Sequence, residues 1–477
     1  MKYFEPDEWL AADLLQRVLG GRGVVHMIGM GGIGMAGLAF LLSRRGFQIS
    51  GCDTAESRVT QWLALRGISV QKGHDPKHLG LATDWAIRTP AVKEDNPELL
   101  EARRLFIPVF QRGMVLPALL EGRTSLAVSG THGKTTTTAM IAHILRASGR
   151  DPSFFVGGEW DADGGMADEG KGGFMVVEAD ESDGTVVYYH PDIAVITNIE
   201  YDHMENFESE AGLIAFFRRF AGNARRHVVY CADDPRALEV CQDFENSVSC
   251  GLSERSNVRG VVEREDSEFS QVLVEHFRRP LGSLRLPAPG LHNVRNALTA
   301  TAAGLQLGMS FEEIRKGLES FRPVRRRFDQ VVEARGIRVI SDYAHHPTEI
   351  RALVQTALRL PHRRLLAVFQ PHRYTRTLAL GPDFPPGFEG IEELVLAPVY
   401  EASEKPLAGG TSADLAEHFK ARGEISVRLV ASLEKAWETL RPLLKAGDVL
   451  LVIGAGDVEK IAYWARDELM DVRRQGS

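Results

Sequence analysis

Short apolar runs alternate with longer stretches whose apolar residues recur every three or four positions, and the alternation continues along most of the 477 residues. Runs of that kind, bounded by glycine or polar residues, predict buried strands. The periodic stretches predict amphipathic helices, and their alternation predicts an α/β fold. The strand candidates fall into three blocks. Segments 24–28, 47–50 and 85–87 belong to the first, residues 1–112. Segments 125–129, 174–177 and 193–196 belong to the second, residues 113–321. Segments 365–369, 393–396 and 449–453 belong to the third, residues 322–477, which opens in a basic stretch. Each block is long enough to bury a core of its own, so three domains are expected.

Two glycine loops stand at strand-to-helix junctions. Gly29-Met30-Gly31-Gly32-Ile33-Gly34 fits G-x-G-x-x-G, and Asp53 ends the next strand. Glycines there let the backbone approach a pyrophosphate at the N-terminus of a helix. The requirement is for a diphosphate, so a nicotinamide dinucleotide and a UDP-linked sugar both satisfy it. Asp53 is either a ligand contact or a strand-end cap.

The second loop, Gly130-Thr131-His132-Gly133-Lys134-Thr135-Thr136, leads into a helical run through Met140, Ile141 and Ile144. Its backbone N–H groups can wrap phosphates. Lys134 can reach the β- and γ-oxygens, and Thr135 can offer its hydroxyl to Mg²⁺. The spacing is shorter than in a standard Walker A loop, with Val128 where the usual first glycine would stand. ATP binding is the expectation.

Carboxylates and amides follow. Glu178-Ala179-Asp180-Glu181-Ser182-Asp183 places four acids in six residues after a buried run. That is either a solvated acidic turn or a site that coordinates metal or polarises water. His203 follows another strand and is either structural or a ligand. Asn293 and Asn296 share one face of a helix rich in alanine and leucine. One asparagine is explained by capping, whereas two suggest a polar ligand such as adenine or ribose.

Composition narrows the partners. The 56 basic and 64 acidic residues give a net charge of −8, without the basic excess of a sequence-tolerant nucleic-acid binder. No apolar run reaches the roughly 18 residues of a membrane helix. Residues 1–8 lack the apolar core of a signal peptide, so a cytoplasmic protein is expected. Cys52, Cys231, Cys241 and Cys250 show no C-x-x-C spacing and no short cluster of zinc ligands, which fits reduced structural thiols.

Taken in order, these motifs resemble the Mur ligases, the ATP-dependent amide-forming enzymes of peptidoglycan synthesis. The resemblance runs from Val24 to Gly454-Ala455-Gly456-Asp457. Besides the phosphate loop and the acids, it includes segments 198–204 and 292–296 and Asp342-Tyr343-Ala344-His345-His346-Pro347-Thr348-Glu349. It implies a Rossmann-like N-terminal domain for a UDP-sugar, a central ATPase-type domain and a Rossmann-like C-terminal domain. The first loop, with Gly29, Gly31, Gly32, Gly34 and Asp53, would then hold UDP and not a nicotinamide cofactor.

Two segments, residues 178–184 and Phe369-Gln370-Pro371-His372-Arg373-Tyr374-Thr375-Arg376, look like the member that adds L-alanine to UDP-N-acetylmuramate. The alternative is the sibling that recycles a murein tripeptide, which usually carries Tyr where Ser182 stands. The implied chemistry is phosphorylation of the muramoyl carboxylate by ATP, then attack of the alanine amine on the acyl phosphate. By the same resemblance Thr135 and Glu178 would hold one Mg²⁺, and Glu178 with His203 a second metal. His292, Asn293 and Asn296 belong to the adenosine site, Arg327 to the phosphates and Asp342 to the ribose. Tyr343, His372 and Arg376 surround the amino acid, with Arg376 clamping its carboxylate. His345 and His346 are left between structural and interdomain roles. The chain departs from the family pattern at Thr89-Pro90, Ser341, residues 384–387 and Pro398.

Overall fold

The computed structural model describes residues 8–160, 165–201, 207, 209–402, 404–423 and 425–470. The molecule is a three-domain α/β protein with one sheet in each domain. The first sheet contains β1 (Val24–Ile28), β2 (Gln48–Asp53), β3 (Gln71–Lys72), β4 (Thr83–Arg88) and β5 (Val109–Gln111). They are parallel, in the spatial order 3-2-1-4-5.

The second sheet contains β6 (Thr124–Ser129), β7 (Ser153–Phe155), β8 (Ala167–Asp168), β9 (Phe174–Glu178), β10 (Ile193–Ile196), β11 (His227–Cys231), β12 (Ser247–Gly251), β13 (Val258–Glu265), β14 (Ser270–His276) and β15 (Arg279–Leu286). Their order is 15-14-13-12-11-10-6-9-7-8, parallel from β13 to β7 with β8 antiparallel at the edge. The third sheet contains β16 (Asp329–Ala334), β17 (Ile337–Asp342), β18 (Arg364–Phe369), β19 (Glu393–Leu396), β20 (Ser426–Leu429) and β21 (Asp448–Ile453). Its order is 16-17-21-18-19-20, with only β16 antiparallel.

By compactness the chain divides into two units. One comprises residues 1–261, 272–285 and 295–321, and the other residues 262–271, 286–294 and 322–477. The first sheet and most of the second therefore share a unit, and small residues let them pack closely. Gly37 lies in the helix Ile33–Arg44, where a Cβ would come within 2.8 Å of the Phe155 ring. Gly113 lies in the helix Arg112–Ala118, where a Cβ would meet Thr185 Oγ1 at 2.2 Å. Arg45 pairs with Glu169 at 3.2 Å along the same junction. One apolar cluster, reaching from Leu15 to Cys241, fills the space between the sheets and their helices. Trp85 anchors its first part, packed edge-on between Phe47 and Phe110.

In the other unit both faces of the third sheet are covered, which is why its central strands β18 and β21 are apolar at every position after their first residue. Leu365, Ala367 and Phe369 of β18 pack with Phe384, Phe388 and Phe419. Leu366 and Val368, pointing the other way, pack with Leu440, Ile461 and Ala465. Among the described residues no helix is long and apolar enough to cross a membrane.

Candidate active site

The first glycine loop joins β1 to the helix Ile33–Arg44. Its opening is held from below, because the carbonyl of Cys52 accepts hydrogen bonds from Gly29 N (3.1 Å) and Met30 N (2.9 Å). Asp53 Oδ2 accepts from Gly31 N at 2.7 Å, so the cap reading of Asp53 is realised. The four glycines are not equivalent. A Cβ would strike Thr89 at Gly29, Asp53 at Gly31 and Arg112 at Gly34. At Gly32 it would meet nothing within 4 Å, although this residue caps the helix with an ordinary φ of −81°. Three glycines are thus required by the protein's own packing. The backbone at Gly32 faces open space at the positive end of a helix.

The phosphate loop follows β6 and ends at the helix Lys134–Ala147, with Gly130 (φ 128°) and Gly133 (φ 79°) in left-handed backbone. A neighbouring segment braces it. Thr131 N donates to the carbonyl of Asn198 at 3.0 Å, and His132 N to Asn198 Oδ1 at 2.8 Å. Asn198 Nδ2 and Thr197 Oγ1 both donate to the carbonyl of His132, at 2.9 and 2.6 Å. Glu200 N donates to Thr131 Oγ1 at 2.8 Å. Asn296 Oδ1 stands 2.5 Å from where a Cβ on Gly133 would be, so this asparagine lies against the loop.

The acids converge on the same place. Thr135 Oγ1 donates to Glu178 Oε1 at 3.1 Å, and Gly157 N to Glu178 Oε2 at 2.7 Å. Lys134 Nζ sits 2.9 and 2.8 Å from the two oxygens of Glu181 and donates to the carbonyls of Gly130 (2.7 Å) and Thr131 (3.1 Å). Burial works against the lysine's charge. The carboxylates of Glu181, Asp180 and Glu178 outweigh it and hold the ammonium above the ordinary lysine range. Burial pushes the Glu178 carboxyl up, with Lys134, Gly157 N and Thr135 offsetting only part of the effect. For Asp180 burial is overcome by Lys134 and Arg112, and the carboxyl is held down. A buried hydroxyl and carboxylate 3.1 Å apart form an oxygen donor set suited to Mg²⁺.

Arg112 was not foreseen from the sequence. Its Nη1 packs on Gly34, and its Nη2 lies 3.8 Å from Asp180. It therefore connects the first glycine loop to the acidic cluster. Asn198 and Glu181 also gained no individual role from the sequence, although both fall in segments that carried the resemblance. His203 lies outside the described residues.

The other expected residues belong to the second unit. Asp342, at the end of β17, accepts from Phe328 N and Ala344 N, each at 2.7 Å. Burial dominates there and lifts its carboxyl to about 6, against the pull of Arg327 and the two N–H groups. The guanidinium carbons of Arg326 and Arg327 lie 4.7 and 5.3 Å from the ring centroid of Tyr343. Arg376 is 7% exposed, and its Nη1 is 3.3 Å from His372 Nδ1. The His372 ring stacks on Tyr400 at 5.5 Å. His346 caps the helix Pro347–Ala357, accepting from Thr348 N, while Glu349 returns the contact to close a capping box. His345 Nδ1 is 3.0 Å from the carbonyl of Tyr343 and 3.4 Å from Glu349. Asn293 Nδ2 donates to the carbonyl of Pro289, and His292 stands beside Gly290.

Three family models match the chain: the Mur ligase family catalytic domain over residues 24–124, the Mur ligase middle domain over 128–304, and the Mur ligase glutamate ligase domain over 326–456. UDP-N-acetylmuramate–L-alanine ligase of Rhizobium meliloti (strain 1021) is 41% identical over 453 residues, covering 93% of this chain and 95% of that protein. The crystal structure of UDP-N-acetylmuramate-alanine ligase from Thermotoga maritima superposes with a TM-score of 0.82 at 30% identity, over 94% of this chain and 99% of that one. A murein peptide ligase from Psychrobacter arcticus shares the fold with a TM-score of 0.71 at 22% identity, over 94% and 99% of the two chains.

Proposed function

This chain belongs to the Mur ligase family, and we propose that it joins L-alanine to the carboxylate of UDP-N-acetylmuramate at the expense of ATP, in the synthesis of peptidoglycan precursors. The observation that carries the reading is the cluster of Lys134, Thr135, Glu178 and Glu181 around a braced phosphate loop. It stands in the same unit as a glycine loop with one bare position.

The residues suit the chemistry of an acyl phosphate. A carboxylate resists attack by an amine because its oxygen is a poor leaving group, and a phosphoryl group removes that obstacle. Catalysis is then positioning and charge neutralisation. Lys134 would exchange Glu181 for the β- and γ-phosphate oxygens. Thr135 and Glu178 would hold Mg²⁺, which when bound neutralises charge on the phosphates, and His203 is kept as a second metal ligand with Glu178. The loop from Gly29 to Gly34 would receive the diphosphate of the UDP-sugar, with Gly32 as the point of closest approach. His292, Asn293, Asn296, Arg327 and Asp342 are assigned to the nucleotide. Tyr343, His372 and Arg376 are assigned to alanine. A guanidinium presents two parallel donors to the amino-acid carboxylate. We also retain 1–112, 113–321 and 322–477 as the functional domains.

The test is phosphate release from ATP with UDP-N-acetylmuramate and each candidate amine in turn. L-Alanine should support release, and a murein tripeptide should not. Faster release with the tripeptide under matched conditions would replace this reading with the recycling activity.

A further inference from the structure

We propose that the first domain carries a site for a thiophilic divalent cation of the Zn²⁺ class, with Cys52, His26 and Glu98 as its ligands. The cysteine spacing gave no hint of it, because the donors come from separate elements. His26 lies in β1, Cys52 near the end of β2, and Glu98 in the first turn of the helix Pro97–Arg104. All three are fully buried, and their donor atoms lie within 4.8 Å of one another.

The geometry is close to that of a bound ion. Zinc bonds of about 2.0–2.3 Å to O, N and S give a tetrahedron with edges of roughly 3.3–3.6 Å. Here Cys52 Sγ is 2.7 Å from Glu98 Oε2, and His26 Nε2 is 3.7 Å from the same oxygen. His74 Nδ1 is 3.2 Å from both the sulfur and that oxygen. The His26 contact would close by a few tenths of an ångström, and Cys52 Sγ and Glu98 Oε2 would move apart by roughly 0.6–0.9 Å, to become tetrahedral edges.

A second observation points to a ligand. His26 Nδ1 is engaged with Ser50 Oγ at 2.9 Å, which turns Nε2 into the cluster. That nitrogen is buried and makes no hydrogen bond. Its contact with Glu98 Oε2, at 3.7 Å, is longer than a hydrogen bond, and coordination to a cation would satisfy this buried nitrogen more fully. The outer contacts are those of metal ligands as well. Ser50 orients His26, while Glu98 Oε1 accepts from His78 Nδ1 (2.6 Å) and from Asp75 N (3.3 Å), fixing the carboxylate. A thiolate with an imidazole and one carboxylate selects Zn²⁺ over Mg²⁺, which prefers an all-oxygen shell.

Binding forms a metal–sulfur bond and breaks the Cys52 S–H bond, with the proton passing to solvent. The ion would also stiffen the first glycine loop, since the Cys52 carbonyl receives the hydrogen bonds of Gly29 and Met30. The site itself does not depend on the ligase reading.

The full-length protein, stripped with chelator, is titrated with Co²⁺ and then Zn²⁺ in excess Mg²⁺. One equivalent of Co²⁺ should bind and show a thiolate-to-cobalt charge-transfer band with tetrahedral d–d bands, and Zn²⁺ should discharge both. Cys52→Ser should lose the charge-transfer band. His78→Gln should keep the band and bind about 10–100-fold more weakly, as expected for an outer-shell contact. Absence of stoichiometric binding, or a charge-transfer band that persists in Cys52→Ser, would overturn the proposal. Should Cys52→Ser fail to fold, zinc-edge X-ray absorption of the unaltered protein decides: one sulfur neighbour supports the site, and none refutes it.

Discussion

Replacing Lys134 by alanine tests two roles of one side chain. In the structure the ammonium contacts both oxygens of Glu181 and two loop carbonyls, and Glu178 and Asp180 are close enough to add to its stabilisation. Truncation would leave Glu181, only 2% exposed, without its cation. Removing one partner of a buried pair costs about 3–5 kcal/mol. In a unit of this size that lowers the melting temperature by on the order of 10 °C. The catalytic loss is separate. Losing a single electrostatic donor at a transition state costs about 10²–10³ in kcat, and a full charge on the transferring phosphoryl should cost at least that. The double variant Lys134→Ala/Glu181→Gln separates the two effects, because it removes the orphaned charge without restoring the cation. It should regain most of the lost stability and none of the lost turnover. Binding of UDP-N-acetylmuramate should stay near normal in both. Calorimetric unfolding, phosphate release and titration with the UDP-sugar measure the three quantities. Near-normal turnover of a folded Lys134→Ala protein would refute the assignment, and so would a double variant as unstable as the single one.

Further outcomes are expected. Gly32→Ala should leave stability within about 0.5 kcal/mol of the parent, because its methyl meets only open space. It should still raise KM for the UDP-sugar about tenfold or more, or roughly 1.4 kcal/mol; Gly31→Ala should instead lose stability through collision with Asp53. Asp342 has a folded-state pKa of about 6 against an ordinary 3.8, so the folded state holds its proton more tightly and stability from this group falls as pH rises from about 4 to 6. Asp342→Asn removes this falling contribution and should make the slope of melting temperature against pH more positive in that window, and an unchanged slope counts against the assigned burial. Arg376→Lys should raise KM for alanine and leave KM for the UDP-sugar unaltered, since a point charge does not reproduce the planar fork. Glycine should still react measurably, because one lost methyl is worth only ~1 kcal/mol.

Much of this was legible because it is local. The strand, loop and helix around each glycine motif follow from apolar runs and from residues that must adopt left-handed backbone, as Gly130 and Gly133 do. Asp53 was read as a ligand contact or a cap; its bond to Gly31 realises the cap, which does not exclude a ligand. What stayed hidden depends on how the chain turns in three dimensions. Four acids after β9 cannot be told apart by spacing. The chain breaks into the short 3₁₀ turn Glu181–Asp183 just beyond β9, and the result is Glu181 against Lys134 and Glu178 against Thr135. No local pattern marks Gly37 or Gly113, whose missing side chains let neighbouring elements of one unit approach closely. Arg112 stood at a presumed boundary and proved to be a link across it. His346, left by the sequence between structural and interdomain roles, caps a helix.

The arrangement around the phosphate loop explains why the nucleotide should arrive with a divalent cation. Lys134 and Arg112 contribute two positive charges, and Glu178, Asp180 and Glu181 contribute three negative charges when ionised. The bare cluster therefore opposes a polyphosphate. The raised pKa of Glu178 states the same fact from the carboxylate's side, because burial there is incompletely compensated. A cation held by Thr135 and Glu178 would reverse the balance and give Glu178 the compensation it lacks. Lys134 is already desolvated and held against Glu181 in the folded protein, and on the proposed function a phosphate oxygen would take Glu181's place. Exchanging one anionic oxygen partner for another at a fixed ammonium requires little reorganisation, which is the condition under which a preorganised charge stabilises a transition state most effectively.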